Sequence, residues 1–293
     1  MSKRMLGDIA IDIAIEISVD DGFPAEMLVP NFKTELVDAN RDLLMPFCIN
    51  PKTQGLKLSI HTWVVKTGHH TILIDTCNGN HKNRPTFELA HQLNTPYLER
   101  LAAVGVHPEE VDIVLCTHLH VDHCGWNTQL KNGKWVPTFP KAKYIFSRKE
   151  YDQWNPANPD CSKNPVNEGV FNDSVLPVVE AGQAQMIEGN HTLDDQMHIE
   201  PAPGHTQGSI VVKVHSKGQH ALFAGDTMHS PVQILRPDWS SGFCDMPEQA
   251  AQTRRKLLEH CVEKNALLMP AHFPPPHAVR VKPKGEYFTF TPE

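Results

Sequence analysis

Isoleucine occupies every second position from Ile9 to Ile17, and the positions between are Ala10, Asp12, Ala14 and Glu16. A period of two predicts a β-strand with one buried face. A second run, Leu56 to Val65, and a third, Thr71 to Asp75, are separated by a short segment that contains Gly68. This spacing predicts a hairpin.

Helical and strand patterns alternate through the rest of the chain. Thr95 followed by Pro96 predicts a helix start, with Thr95 as the N-cap, and Gly105 predicts its end. The later predicted strands are Val111–Cys116, Tyr144–Phe146, Ser209–Val214, Ala221–Ala224 and Ala266–Met269, and the later helices are Arg148–Trp154 and Pro247 to about Lys264. The alternation favours a layered α/β architecture. Because no linker or repeat interrupts it, a single domain over residues 1–293 is predicted.

Charge and apolar content exclude several classes of function. The formal net charge is −7, from 34 acidic and 27 basic residues, with no basic run that would bind nucleic acid. The N-terminal segment lacks the apolar core of a signal peptide, and no stretch of about 18 apolar residues predicts a membrane span. Seven cysteines without a CxxC pair indicate reduced thiols. We therefore expect a cytoplasmic protein.

The chemistry is concentrated directly after the strand predicted at Val111–Cys116. His118, His120, Asp122 and His123 fall within six positions. Imidazole and carboxylate groups suit zinc and similar first-row metals, and neighbouring side chains diverge too much for all four to bind one ion. The motif therefore predicts two metal ions.

Three isolated residues extend this set. His205 follows the Pro203-Gly204 turn, Asp226 ends an apolar strand, and His272 follows another strand. A carboxylate at the end of a buried strand needs compensation, which a pair of cations would supply. Each residue alone is a weak signal, but loops at strand ends are common positions for functional sites.

The order HxHxDH, then His, Asp and His, resembles the metallo-β-lactamase fold superfamily. The resemblance runs from about Leu56 to His272 and includes Leu73-Ile74-Asp75-Thr76. It implies a four-layer αββα sandwich with a dinuclear metal site, zinc by default, although manganese, cobalt or iron would suit the same ligands. The implied roles are a first metal on His118, His120 and His205, a second on Asp122, His123 and His272, a bridge and catalytic group at Asp226, a catalytic role for Asp122, and outer support from Asp75.

Several residues near these motifs are interpreted as structural. Cys124 follows the histidine motif directly, but the bridging position already has Asp226. His229 and His277 lie close to the ligands in sequence and are also interpreted as non-ligands. Phe47, Trp126, Trp154 and Phe243 are the aromatic residues predicted to line an apolar substrate pocket.

Within the superfamily, the chain resembles methyl parathion hydrolase and its lactonase and arylesterase relatives. The resemblance rests on the long interval between His123 and His205, the segment Ser230-Pro231-Val232-Gln233, and Ala271-His272-Phe273-Pro274. The carboxylate at Asp226 argues against a β-lactamase. Residues 273–293 are too few for the helical extension of glyoxalase II, and no tyrosine lies between Asp226 and His272 to serve as in acyl-homoserine lactonases.

These features predict a hydrolase in which a metal-bridging hydroxide attacks lactones or aryl esters, with phosphotriesters such as organophosphates as further substrates. The substrate is expected to be small and neutral, with no nucleic-acid or membrane partner. The resemblance suggests a homodimer, as does the isoleucine-rich first strand, which could lie at a subunit edge as easily as in the core. The alternatives are a β-lactamase or phosphodiesterase of the same fold, or a non-catalytic metal-binding module.

Overall fold

The computed structural model describes residues 3–45 and 47–293. Met1, Ser2 and Pro46 belong to the predicted domain but lie outside the described residues. The chain divides into two compact units. Unit 1 comprises the described residues up to Glu16 together with Ile60–His191, and unit 2 comprises Ile17–Ser59 and Thr192–Glu293. A single domain over residues 1–293 stays a prediction.

Within the described ranges, seven strands form a sheet in the order β1-β2-β3-β4-β5-β8-β9, and β6 pairs with β7 in a separate hairpin. The strands are β1 (Arg4–Leu6), β2 (Ile9–Phe23), β3 (Leu56–Lys66), β4 (Thr71–Ile74), β5 (Ile113–Leu115), β6 (Thr128–Lys131), β7 (Lys134–Pro137), β8 (Lys143–Ser147) and β9 (Ala184–Ile187). Strands β4, β5, β8 and β9 run parallel to one another.

A second sheet of seven strands, as far as the chain is described, has the order β10-β11-β12-β13-β14-β15-β16. Its strands are β10 (His191–Thr192), β11 (Met197–Pro201), β12 (Ile210–Ser216), β13 (Gln219–Gly225), β14 (Leu267–Pro270), β15 (Val279–Lys284) and β16 (Tyr287–Pro292). β13 and β14 are parallel, and the pairs β11–β12, β12–β13, β14–β15 and β15–β16 are antiparallel.

Helices alternate with these strands, so the predicted α/β class is confirmed. The α-helices are α1 (Ala25–Leu28), α2 (Thr34–Ala39), α3 (Arg41–Leu44), α4 (Tyr97–Ala103), α5 (Arg148–Trp154), α6 (Leu176–Glu180), α7 (Val232–Leu235) and α8 (Pro247–Lys264). Among the described helices, none is long and apolar enough to cross a membrane.

Most of the predicted elements are present. α5 has the predicted bounds, and α8 ends before Asn265, whose φ of +48° gives the left-handed conformation that terminates helices. The helix predicted to start at Thr95 begins instead at Tyr97. Thr95 does not cap it, because its backbone N–H donates to Asn80 Oδ1 at 2.8 Å and its hydroxyl bonds elsewhere.

Strand β2 is present as predicted, but the prediction that only one of its faces is buried was wrong. Ile9, Ala10 and Ile11 are all buried, so both faces are covered at this end. Glu16, predicted on the polar face, is only 3% exposed. Its carboxylate accepts hydrogen bonds from Trp126 Nε1 at 2.6 Å and from the backbone and side-chain amides of Asn78 at 2.9 and 3.0 Å. These bonds offset the burial that raises the pKa of Glu16.

The pattern did not reveal the hairpin β6–β7 or the strands β15 and β16. The strand Val279–Lys284 carries three polar or charged positions and Pro283, which weaken its apolar alternation. These strands form by pairing with neighbours: Val281 lies opposite Phe290, and both are buried in the core of unit 2. Tertiary pairing therefore overrides the local pattern.

Candidate metal centre

In unit 1, the candidate ligands follow the ends of parallel strands. Ile74 of β4 pairs with Leu115 of β5, and β5 pairs in parallel with β8. The carboxyl ends of these strands therefore lie at one edge of the sheet, where loops can place side chains together. Asp75 follows β4, and the segment from Thr117 to His123 lies just beyond β5.

Asp75 organises this edge. Its backbone has a φ of +57°, a conformation that non-glycine residues rarely adopt and that is often found at functional sites. One carboxylate oxygen accepts the Thr117 backbone N–H at 2.7 Å, and the other lies 2.9 Å from His123 Nδ1. A proton on Nδ1 donated to Asp75 would leave His123 Nε2 as the nitrogen that can face a metal ion. Asp75 therefore contacts a candidate ligand and the backbone of the motif, and its supporting role stays a prediction.

The histidine motif forms a buried cluster of nitrogen and oxygen atoms. His118 Nε2 lies 3.1 Å from His120 Nδ1, and the His118 and His123 ring centroids are 3.9 Å apart. Asp122 Oδ1 lies 3.5 Å from His123 Nε2. The three imidazoles are at most 6% exposed. This motif therefore brings all four predicted ligands of unit 1 together.

Two side chains from later segments hold the motif's backbone. Glu150 Oε2 accepts the Leu119 backbone N–H at 2.9 Å and also the indole N–H of Trp154 at 3.1 Å. Asn167 Nδ2 donates to the Leu119 carbonyl at 2.9 Å. Neither contact was predicted from the sequence, although Glu150 lies in the first turn of α5, a correctly predicted helix. The Trp154 ring centroid lies 5.3 Å from that of His120.

The residues directly after the motif are closely packed. A Cβ atom on Gly125 would lie 1.8 Å from the Asn78 carbonyl oxygen, so only glycine fits there. Cys124 Sγ donates to the His120 carbonyl at 3.3 Å. Burial raises the pKa of the Cys124 thiol well above its usual value. Cys124 Sγ is therefore engaged with the backbone of the motif, and the structural interpretation of Cys124 stays a prediction.

Unit 2 positions its ligands in a similar way. β13 and β14 are parallel, and a bulge between Phe223 and Gly225 marks the end of β13. Asp226 follows β13, and His272 follows β14 by two residues. Both side chains therefore emerge at the same edge of the second sheet.

Asp226 is the point on which the imidazoles of unit 2 converge. His272 Nε2 lies 3.1 Å from Asp226 Oδ1. His229 Nε2 and His205 Nε2 lie 3.1 and 3.4 Å from Asp226 Oδ2. All four side chains are at most 7% exposed. A buried carboxylate surrounded by imidazoles is a donor set suited to a cation.

The backbone around His205 and His272 fixes their rings. Gly204 has a φ of +142°, and a Cβ there would lie 2.3 Å from Ala250 of α8, so the turn before His205 requires glycine. His272 Nδ1 lies 3.1 Å from the Ser59 carbonyl. A proton on Nδ1 donated to that carbonyl leaves Nε2 facing Asp226.

His229 is the residue whose position the sequence did not predict. It places one nitrogen within 4.8 Å of ligand atoms of both His205 and Asp226. Its backbone N–H donates to Gln233 Oε1 at 2.6 Å, and its ring lies 6.3 Å from that of Phe243. His229 therefore lies among the candidate ligands, and its interpretation as a non-ligand stays a prediction. The available signal was its spacing of three residues after Asp226.

The spacing of the donor atoms fits metal ions. Tetrahedral zinc with bonds of about 2.0–2.1 Å places neighbouring ligand atoms about 3.3 Å apart. The 3.1 Å between the nitrogens of His118 and His120 is close to this value. So are the distances of 3.1–3.4 Å from Asp226 to its imidazoles. The His and Asp clusters are therefore suited to divalent metals.

The four predicted pocket aromatics have different surroundings. Trp154 lies beside His120, and Phe243 beside His229. Trp126 instead stacks on Tyr97 at 5.0 Å, besides its bond to Glu16, and Phe47 packs on the core residue Phe290 at 5.8 Å. Only Trp154 and Phe243 of this set are shown adjacent to candidate ligands.

His277 contacts the backbone close to it in sequence. Its ring is buried, and Nδ1 lies 2.7 Å from the Phe273 carbonyl. Burial lowers the pKa of His277 to about 4. The imidazole is therefore neutral near pH 7 and belongs to the local packing after β14.

Residues 56–272 match the family model of the metallo-beta-lactamase superfamily. This match covers most of the chain and includes every residue of both ligand groups, so the chain belongs to the metallo-beta-lactamase superfamily. The predicted fold and family are thereby confirmed.

Among curated proteins, the chain is 26% identical over 123 residues to the N-acyl homoserine lactonase AiiB of Agrobacterium fabrum. The alignment covers 38% of this chain, and the chain spans only 39% of the length of that relative.

Two solved structures have the same fold over nearly the whole chain. One is the hydrolase AbOPH of the beta lactamase superfamily, with a TM-score of 0.80, 23% identity, and coverage of 99% of this chain and 96% of that one. The other is AidC, a dizinc quorum-quenching lactonase in complex with a product, with a TM-score of 0.77, 22% identity, and coverage of 100% and 97%. At these identities the likeness shows the fold.

Proposed function

We propose that this protein is a dinuclear metal-dependent hydrolase that cleaves lactones or aryl esters. The observation that carries the proposal is the convergence of three imidazoles on the buried carboxylate of Asp226. The two oxygens of such a carboxylate can each face a different cation, as the oxygens of a bridging ligand must. A structural zinc site would instead have a closed shell of four ligands.

The proposed ligands are the seven residues that the family resemblance implies. One ion is assigned to His118, His120 and His205, the other to Asp122, His123 and His272, with Asp226 bridging. Zinc is the default metal, since AidC is a dizinc enzyme of the same fold. When bound, the two ions would supply Lewis acidity and lower the pKa of an attacking water toward about 7.

The chain's own side chains contribute orientation and proton transfer. Asp75 fixes the tautomer of His123, and the Ser59 carbonyl does the same for His272. We assign to Asp226, and to Asp122, the holding of the nucleophile's proton, because carboxylates at hydrogen-bonding distance can act as general bases. Trp154 and Phe243 would exclude water beside the two ligand groups.

A lactone is favoured over other esters by the relatives. AiiB is named an N-acyl homoserine lactonase, and AidC is described as a lactonase. The aromatic residues next to the ligands suit a small neutral substrate, and the net charge of −7 disfavours anionic ones. Phosphotriesters are proposed as secondary substrates, because their hydrolysis also develops negative charge on oxygen.

A substrate panel tests this proposal. Purified protein reconstituted with zinc should hydrolyse lactones and aryl esters with kcat/KM at least about tenfold above the values for β-lactams and phosphodiesters, a difference of about 1.4 kcal/mol in transition-state stabilisation. A lead for β-lactams or phosphodiesters would overturn the substrate assignment. A metal-loaded protein that turned over none of these classes would instead support the non-catalytic alternative.

We also propose a cytoplasmic homodimer. The isoleucine-rich strand gives little support for the dimer, because Ile9 and Ile11 are buried within the chain and are not available for a subunit interface. The proposal therefore rests on the family resemblance alone. Light scattering at micromolar concentration should show twice the 32.9 kDa of the chain.

A further inference from the structure

A cavity of about 390 Å³ in unit 1 contains a cysteine unlike the other six. Cys161 lines this cavity with Trp154, Lys163, Asn167 and Phe171. The Lys163 ammonium lies 2.9 Å from Cys161 Sγ. A cation in contact with sulfur stabilises the thiolate, which is the nucleophilic form of cysteine.

Burial raises the pKa of the thiols of the other six cysteines, Cys48, Cys77, Cys116, Cys124, Cys244 and Cys261. Cys244 is the best comparison, since it also lines a cavity, of about 660 Å³ in unit 2, yet burial raises its pKa to about 11. Cys161 and Cys244 therefore both line a cavity, but Cys161 also contacts the ammonium group of Lys163.

A second observation indicates what the cavity can bind. Asn167 is 7% exposed and lines the same cavity. Its Nδ2 is engaged by the Leu119 carbonyl, whereas its Oδ1 is buried without a hydrogen-bond partner. An amide oxygen in this state is an acceptor for a ligand that brings an O–H or N–H group.

We propose that Cys161 is an oxidation site that reacts with hydroperoxides bound in this cavity. Hydrogen peroxide carries the O–H donor that Asn167 Oδ1 can accept and the electrophilic oxygen that the Cys161 thiolate attacks. The sulfur–oxygen bond forms as the oxygen–oxygen bond breaks, so sulfur loses two electrons and the peroxide gains them. The departing hydroxide takes a proton from Lys163, which is reprotonated by solvent. The products are a sulfenic acid and water.

The experiment treats the purified full-length, metal-loaded protein with hydrogen peroxide and dimedone, which traps sulfenic acids, and maps the adducts by mass spectrometry. Cys161 should be labelled at least about tenfold faster than Cys244, since the Lys163 ammonium in contact with Cys161 Sγ stabilises its thiolate. Equal labelling of the two cysteines would overturn the proposal.

Three variants test the assigned partners, Lys163 and Asn167. Lys163→Met should slow labelling of Cys161 at least about fivefold, whereas Lys163→Arg should retain most of the rate, because it keeps the charge. Asn167→Ala should slow the reaction with peroxide but leave alkylation by iodoacetamide nearly unchanged. Unchanged peroxide labelling in both Lys163→Met and Asn167→Ala, in variants with native melting temperature and metal content, would contradict the proposal.

Discussion

The two ligand groups are built differently. In unit 1 the four proposed ligands come from one hexapeptide, and their support comes from other segments through Asp75, Glu150 and Asn167. In unit 2 the imidazoles of His205, His229 and His272 come from distant positions and meet at the single carboxylate of Asp226. The first group depends on its surroundings for orientation, whereas the second depends on its central residue. Loss of Asp226 should therefore reduce activity more than loss of Asp75, Glu150 or Asn167.

The largest effect is expected at the centre of unit 2. Asp226→Ala should reduce kcat/KM by more than about 1000-fold, beyond the 10–100-fold typical of residues that only orient ligands. Elemental analysis should show loss of metal, and circular dichroism should show a folded protein. The matched control is Asp238→Asn, an exposed aspartate of the same unit paired with Arg236. A variant with both metals and near-native turnover would refute the bridging assignment.

A supporting residue of unit 1 should have a smaller effect. Asp75→Ala removes the acceptor for His123 Nδ1 and for the Thr117 N–H, so metal affinity should fall by about 10–100-fold. Competition with a chromogenic chelator measures it. Asp112→Ala is the control, because Asp112 accepts the Thr71 N–H at 2.8 Å at the opposite end of β5. Equal affinity losses in the two variants would indicate a general loss of stability.

Glu150 supports the proposed ligands through the backbone of Leu119, which lies between His118 and His120. Glu150→Gln keeps a carbonyl oxygen where Oε2 accepts from both Leu119 N and Trp154 Nε1, but loses the charge that strengthens both bonds. We expect kcat/KM to fall by about three- to tenfold with metal content unchanged, because two charge-assisted hydrogen bonds are weakened by about 1 kcal/mol in all. Asp152→Asn on the exposed face of α5 is the control. A metal-free Glu150→Gln protein would place this residue among the essential supports.

The same contrast explains which features could be predicted from the sequence. The hexapeptide of unit 1 is visible because its ligands are adjacent in sequence, and Asp226 and His272 are visible because parallel strands deliver them to one edge. The approach of His229 to Asp226 was not predicted, since a spacing of three residues does not by itself show that a histidine in a turn faces the ligands. Glu16 was placed on the wrong face, because its partners Asn78 and Trp126 lie far along the chain. Such contacts are set by packing, which a periodic pattern does not encode.

The smallest effect is expected at Cys124, which is adjacent to the hexapeptide yet outside both ligand groups. Cys124→Ser replaces a thiol whose pKa is raised by burial with a hydroxyl that can still donate to the His120 carbonyl. Metal content should stay the same and kcat/KM should change by less than about threefold, within 0.7 kcal/mol. Cys261→Ser, at a buried position of α8, gives the cost of a cysteine-to-serine change remote from the motif. If Cys124→Ser lost metal while Cys261→Ser kept it, the sulfur of Cys124 would have to be included among the ligands. The ligand group of unit 1 would then extend beyond the hexapeptide, and its comparison with the group around Asp226 would change.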